Sequence, residues 1–163
     1  MKKIALALLL LSSWFSIAQD KESINTLLDQ WHLDASQAKY TAYFDVLAED
    51  AVFIGTDAVE NWTKSDFQTF AKPYFDTKKT WHFKAIERHI YFSSDKKTAW
   101  FDELLDTQMK ICRGSGVVEW VNSTWKIKQY VLSIAIPNKF TNEVVKIKAS
   151  YEDALMVTLK NKP

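Results

Sequence analysis

Few residues in this chain could do chemistry, and they are widely spaced. Asp102 and Arg113 draw attention first, because each falls on a predicted strand where alternation decides what it faces. On the strand 98–108, either Trp100, Asp102 and Leu104 share a face, or Phe101, Glu103 and Leu105 do. On the strand 111–121 the choice lies between Arg113, Ser115, Val117 and Glu119 and the set Cys112, Val118 and Trp120. The sets holding Asp102 and Arg113 are taken as inward, since a partly buried carboxylate beside a guanidinium places charge stably in an enclosed space. If Trp125 also points inward, so do Ile127, Gln129, Val131 and Ser133. A bulge at Gly114 or Gly116 would shift this register and reverse the choice. A carboxylate of raised pKa in an apolar pocket, with a donor aimed at developing negative charge, can remove a proton. Pairing with a guanidinium has the opposite effect and makes a carboxylate a worse base.

Aromatic residues are the stronger signal. Trp31, Tyr43, Phe53, Trp62, Phe67, Trp81 and Trp100 come from helices, a short strand and the sheet, yet could converge on one cavity. Aromatic walls with a few polar groups suit a flat or ring-containing small molecule, although core packing must account for most of these rings. The candidate ligand-binding set is therefore those seven with Asp102, Arg113, Gln129 and Ser133. The three histidines, His32, His82 and His89, match no zinc spacing, so no metal and no cofactor is expected. Surface or capping roles suffice for all three. Cys112 is the only cysteine, which rules out an intramolecular disulfide, and it reads as a small buried hydrophobe on a strand.

These side chains need elements to position them. Residues 1–18 read as an export signal rather than as part of the fold: Lys2 and Lys3, the apolar run Ile4–Leu11, then Ser16-Ile17-Ala18 as a cleavage signal after Ala18. That run is too short to span a bilayer. The expected product is periplasmic or secreted, with no membrane association after cleavage. Loss of Lys2 and Lys3 leaves 19 basic against 20 acidic residues, and without a basic stripe nucleic acid is a poor partner. Residues 19–139 suit one domain with a substantial core.

Glu22–Ala38 predicts a helix with Ile24, Leu27, Leu28, Trp31 and Ala35 on one face, and Tyr40–Leu47 a second, short one. A short strand 51–55 and a polar loop 56–61 follow. Thr63 then caps a helix carrying Phe67, Phe70, Ala71 and Tyr74, which Pro73 should kink or end early. From Trp81 the period changes from 3.6 to 2, giving strands 81–92, 98–108, 111–121 and 125–137. Phe140–Leu159, within the tail 140–163, predicts an amphipathic helix docked on its own domain, with a partner-binding or dimer-exchanging helix as the alternative. Helices first and a meander last define an α+β pattern.

Three stretches then resemble a known family: Asp50-Ala51-Val52-Phe53-Ile54-Gly55-Thr56-Asp57, Thr98-Ala99-Trp100-Phe101-Asp102-Glu103, and Arg113-Gly114-Ser115-Gly116-Val117 leading to Trp125-Lys126-Ile127. Together with the element order, they make the chain similar to SnoaL-like domains of the nuclear transport factor 2-like (NTF2-like) superfamily over roughly residues 22–138. The resemblance implies a cone-shaped, curved antiparallel sheet wrapped around the N-terminal helices, a cystatin-like roll, here with an added C-terminal helix. It also implies a pocket inside the cone and, commonly, a homodimer joined through the sheets. Catalytic relatives use a cone carboxylate to remove a proton beside a carbonyl; on that pattern Asp102 would be the base and Tyr43 or Tyr74 the donor of an isomerase, cyclase or dehydratase. Relatives often carry a His four residues after the Trp of the W-K-I motif. Here Gln129 stands there, and Gln cannot shuttle a proton near neutral pH. The expectation is therefore a binder of a small apolar or aromatic molecule, ahead of an enzyme or a protein-interaction module.

Overall fold

Apolar spacing places the first helix, α1, helical over residues 21–36, with Ile24, Leu28, Trp31 and Ala35 almost wholly removed from solvent. The computed structural model describes residues 21–161; the expected leader and its cleavage site after Ala18 lie outside them. Helix α2, Tyr40–Asp45, adds Tyr43 and Phe44 to the core. Strand β1, Leu47–Ile54, begins four residues before the expected 51 and pairs in parallel with the last strand. Its apolar signal is weak because Glu49 and Asp50 interrupt it at a register shift. Strand β2, Asn61–Thr63, is too short to leave a periodic trace and pairs Trp62 with Phe53.

Helix α3, Lys64–Asp76, starts where expected: the Thr63 hydroxyl accepts from the Asp66 N–H at 3.3 Å. Thr63→Ala should lower unfolding stability by about 1 kcal/mol, read from a urea midpoint at unchanged slope. Pro73 does not end this helix. Ala71 and Phe75, buried on either side of it, anchor the last turn to the core.

Four long strands follow: β3, Phe83–Phe92; β4, Thr98–Thr107; β5, Lys110–Val121; and β6, Thr124–Ile134. The sheet order is β2-β1-β6-β5-β4-β3, with β1–β6 as its parallel pair. Asn122 and Ser123, both at positive φ, make the tight turn between β5 and β6, as a two-residue hairpin requires. The helices fill the hollow of the sheet, and the core lies between them.

Register corrects the expected facing. The inner residues of β4 are Phe101, Glu103 and Leu105, and those of β5 are Cys112, Gly114, Gly116 and Val118. Asp102 and Arg113 lie on the outer face, and Trp100 lies there with them, 48% exposed. Burying Phe101, Leu105, Cys112 and Val118 outweighs burying the Asp102–Arg113 pair. A bulge does occur, but at Lys128 in β6: Val117 pairs with Gln129 while Val118 pairs with Ile127. The inward series therefore runs Trp125, Ile127, Tyr130, Leu132, and Gln129, Val131 and Ser133 turn outward. Lys128, the extra residue, forms an ion pair with Asp50.

After a 3-10 turn, Asn138–Phe140, comes α4, Thr141–Lys160. The expected docking of this helix on its own domain does not occur, since none of its residues is buried. None of the described helices is long and apolar enough to cross a membrane.

Candidate functional site

Deep in the cone lies the carboxylate of Glu103, with no exposed surface. Its Oε1 is 2.8 Å from His32 Nε2 and accepts from the Tyr130 hydroxyl at 2.9 Å. Its Oε2 accepts from Arg88 Nε at 2.9 Å, and Arg88 Nη2 approaches to 2.7 Å. Arg88 also reaches Asp29 at 2.9 Å and the Asn25 carbonyl and side chain through Nη1. The Nη2 contacts are ion pairs by distance rather than well-aimed hydrogen bonds.

Burial pushes the Glu103 pKa up, but the hydrogen bond and charge of His32, with Arg88, outweigh it and hold the carboxyl below its ordinary value of 4.5. The Tyr130 hydroxyl is driven the other way by burial and then by the Glu103 charge. Glu103 is thus an ionised, saturated acceptor, which is the opposite of a poised general base. The alternating glycines of β5 make the arrangement possible. A Cβ at Gly114 would meet the Tyr130 hydroxyl at 2.2 Å, and one at Gly116 the Gln129 carbonyl at 2.3 Å.

One aromatic-lined cleft lies elsewhere, at the mouth of the cone. The cleft, of about 150 Å³, is walled by Phe53, Trp62, Phe67, Phe70, Trp81 and Phe83, with Met109 and Leu132 at the sheet end. Four of the rings lie nearly parallel to Phe67 or to its neighbour. Phe53 stacks on Phe67 at 3.9 Å, and Trp62 lies 7° from the Phe67 plane at 5.6 Å. Trp81 lies 21° from it at 6.0 Å, and Phe70 stacks on Trp62 at 4.5 Å.

Polar groups are sparse here. Gln108 Oε1 accepts from the His82 N–H at 3.0 Å, which ties the Trp81–His82 segment to the β4–β5 turn. Glu60 is the one ionisable residue in the wall, and its Oε2 accepts from the backbone N–H of Asp57. The Trp81 indole N–H is buried without an aligned acceptor. Burial drives the nearby Tyr43 hydroxyl far above its ordinary pKa, only partly offset by Trp81, so Tyr43 stays protonated.

Phe53, Trp62, Phe67 and Trp81, four of the seven aromatic candidates, thus meet around one cleft. Trp31 and Tyr43 stack on each other behind it as core. Trp100, Asp102, Arg113, Gln129 and Ser133 belong to the opposite face of the sheet. Asp102 lies 3.3 Å from His89 and 3.6 Å from Arg113 there, remote from Tyr43 inside the cone; Tyr74 is 43% exposed on α3. A base–donor pair of Asp102 with either tyrosine is not assembled. His32, expected at the surface or in a cap, is instead a core residue only 3% exposed. Of this network, sequence reading left Arg88 and Tyr130 unmarked, weighed Glu103 only as part of the alternative face of β4, and placed His32 at the surface or in a cap. The glycine alternation at 114 and 116, which marks a close approach on one strand face, was the available signal.

The SnoaL-like domain family matches residues 24–137, which spans α1 through β6 and leaves α4 outside. Solved structures agree on the fold. An NTF2-like protein of unknown function from Pseudomonas putida KT2440 superposes with a TM-score of 0.63 at 12% identity, covering 76% of this chain and 91% of that one. A candidate scytalone dehydratase from Novosphingobium aromaticivorans gives 0.62 at 10% identity, covering 73% and 86%. A candidate aromatic ring hydroxylase from the same organism gives 0.63 at 16% identity, covering 74% and 92%. Identities this low establish a shared fold and nothing about chemistry. No curated protein matches the sequence.

Proposed function

Because this chain belongs to the SnoaL-like domain family, whose fold hosts many chemistries, its function has to be argued from its own cleft, and we propose that it binds a small single-ring aromatic molecule there without turning it over. The carrying observation is the cleft itself: near-parallel Trp62, Phe67 and Trp81 around about 150 Å³. An apolar cavity of roughly that volume holds a benzene-sized ring. Met109 at the sheet end, flexible and polarizable, lets the wall adjust to substituents. Gln108, Thr56 and Glu60 offer the few polar contacts that would orient a ring substituent.

Binding without turnover is supported by the state of the cone carboxylate. Glu103 is saturated by three partners and does not line the cleft. The leader-like residues 1–18 support work outside the cytoplasm, in the periplasm or beyond.

The test is a fluorescence titration of the indoles with phenol as probe and cyclohexanol as a non-aromatic control. A saturable phenol response is expected, weakened on the order of tenfold in Trp62→Ala because one stacking wall is lost. Equal responses to the two probes, or no change on Trp62→Ala, would remove the reading. Native mass spectrometry of protein taken from its source would show directly what occupies the cleft.

A further inference from the structure

Charge in the wall of the cleft is one-sided. Glu60 supplies a carboxylate, and no Lys, Arg or His stands with it among the described lining residues. The turn between β1 and β2 is built to put that carboxylate there. The Gly55 N–H donates to the Glu60 carbonyl at 2.9 Å, and the Glu60 N–H to the Asp57 carbonyl at 3.0 Å, which closes the turn. The Glu60 side chain then folds back over Gly55. Its Oε2 accepts from the Asp57 N–H at 3.1 Å, and a Cβ at position 55 would meet that oxygen at 2.1 Å. Glycine thus leaves the room that the carboxylate fills. Glu60 also stands two residues before Trp62, so on the extended chain leading into β2 the two side chains share a face, and both line the cleft. Oε1 of Glu60 has no hydrogen-bond or ion-pair partner among the described residues. We propose that the ring bound in the cleft carries a protonated amine, an arylalkylammonium group, whose N–H donates to Glu60 while the ring lies among the aromatic walls.

This inference rests on the aromatic-ligand reading of the cleft and adds the charge of the ligand to it. Three features select a cation over a neutral or anionic ring. An ionised carboxylate only accepts hydrogen bonds, and one oxygen of Glu60 is free to do so. Aromatic faces are electron-rich, so they attract an ammonium and disfavour an anion, and tryptophan, here Trp62 beside Glu60, does so most strongly. The other polar side chains named in the wall, Thr56 and Gln108, are neutral, so an anionic ligand would face Glu60 with no cation to offset it. The cost of desolvating the pair is moderate, because Glu60 is only half-buried. The apolar sheet end, with Met109 and Leu132, receives the ring, and the charged group stays at the loop end.

The experiment is a set of indole fluorescence titrations with benzylamine, which is protonated at neutral pH, its neutral counterpart benzyl alcohol, and benzoate. Wild type and Glu60→Gln are compared. Gln keeps an acceptor for the Asp57 N–H, and benzyl alcohol reports whether the cleft is intact in the variant. In the wild type, benzylamine is expected to bind on the order of fivefold more tightly than benzyl alcohol, and benzoate more weakly than either. Glu60→Gln should bring benzylamine to the level of the alcohol and leave the alcohol unchanged. Equal binding of benzylamine and benzyl alcohol by the wild type overturns the proposal while leaving the aromatic cleft standing. That comparison does not depend on how the variant folds. Tightest binding of benzoate overturns it as well. So does a benzylamine preference that survives in Glu60→Gln, because the attraction would then arise elsewhere. No saturable response to any of the three probes removes the aromatic-ligand reading together with the proposal.

Discussion

Glu103→Ala is expected to cost about 3–5 kcal/mol of unfolding free energy, lowering the thermal midpoint by roughly 10–15 °C. Alanine removes the shared acceptor of His32, Tyr130 and Arg88 and leaves a guanidinium only 6% exposed with Asp29 as its one remaining carboxylate. Breaking a buried pair in this way is far worse than never having built it, because the surviving charge and donors stay desolvated. Glu103→Gln keeps the shape and some acceptors, so it should fall between alanine and wild type.

The pH dependence gives the prediction a second handle. The folded-state pKa of Glu103 is depressed below 4.5, so its contribution is present above the unfolded value and is lost as pH falls through the folded one. The stability gap between wild type and Glu103→Gln should be widest near neutral pH and shrink on acidification below about 4.5. Urea unfolding of both proteins across that range checks it. A gap independent of pH would mean that Glu103 is not ionised in the fold.

Gly116→Ala should also be destabilising, by about 1–3 kcal/mol, although it adds a single methyl group. The new Cβ would sit 2.3 Å from the Gln129 carbonyl oxygen and 2.8 Å from the edge of the Phe101 ring. The carbonyl cannot withdraw cheaply, because it belongs to the β6 backbone beside the Lys128 bulge that sets which residues face the core. Relief requires either opening the β5–β6 ladder or moving that bulge, which would turn Tyr130 away from Glu103. Gly114→Ala strikes the same network from its other side, at the Tyr130 hydroxyl. Chemical denaturation and amide exchange along β5 and β6 distinguish a local opening from global loss. Wild-type stability in Gly116→Ala would show that the two strands have slack that the contacts deny.

Long periodic elements were legible because burying one face imposes a spacing that the residues must carry. Ile24, Leu28, Trp31 and Ala35 declare α1, and Thr63 with Asp66 declares the start of α3. The period change after Trp81 announces the sheet. Short or interrupted pieces were not legible: β2 has three residues, and β1 contains Glu49 and Asp50. At the site, the aromatic types pointed to a ring-lined space, and four of the seven candidates line one.

Facing was the quantity that strand sequence left open. Both faces of β4 hold an acid and an aromatic ring, Trp100 and Asp102 on one side and Phe101 and Glu103 on the other, so alternation alone cannot rank them. The tertiary structure decided it through partners distant in sequence. Arg88 on β3, His32 on α1 and Tyr130 on β6 supply enough donors to make Glu103 tolerable inside, and nothing local to β4 announces them. The single extra residue at Lys128 then moved Gln129 to the outer face and brought Tyr130 in. Residue order alone thus determined the class of fold and an aromatic interior, because burial and periodicity are local demands. Which carboxylate went inside, and where the cleft was left open, required the folded chain, because desolvation is settled only when all the partners of a charge are in place.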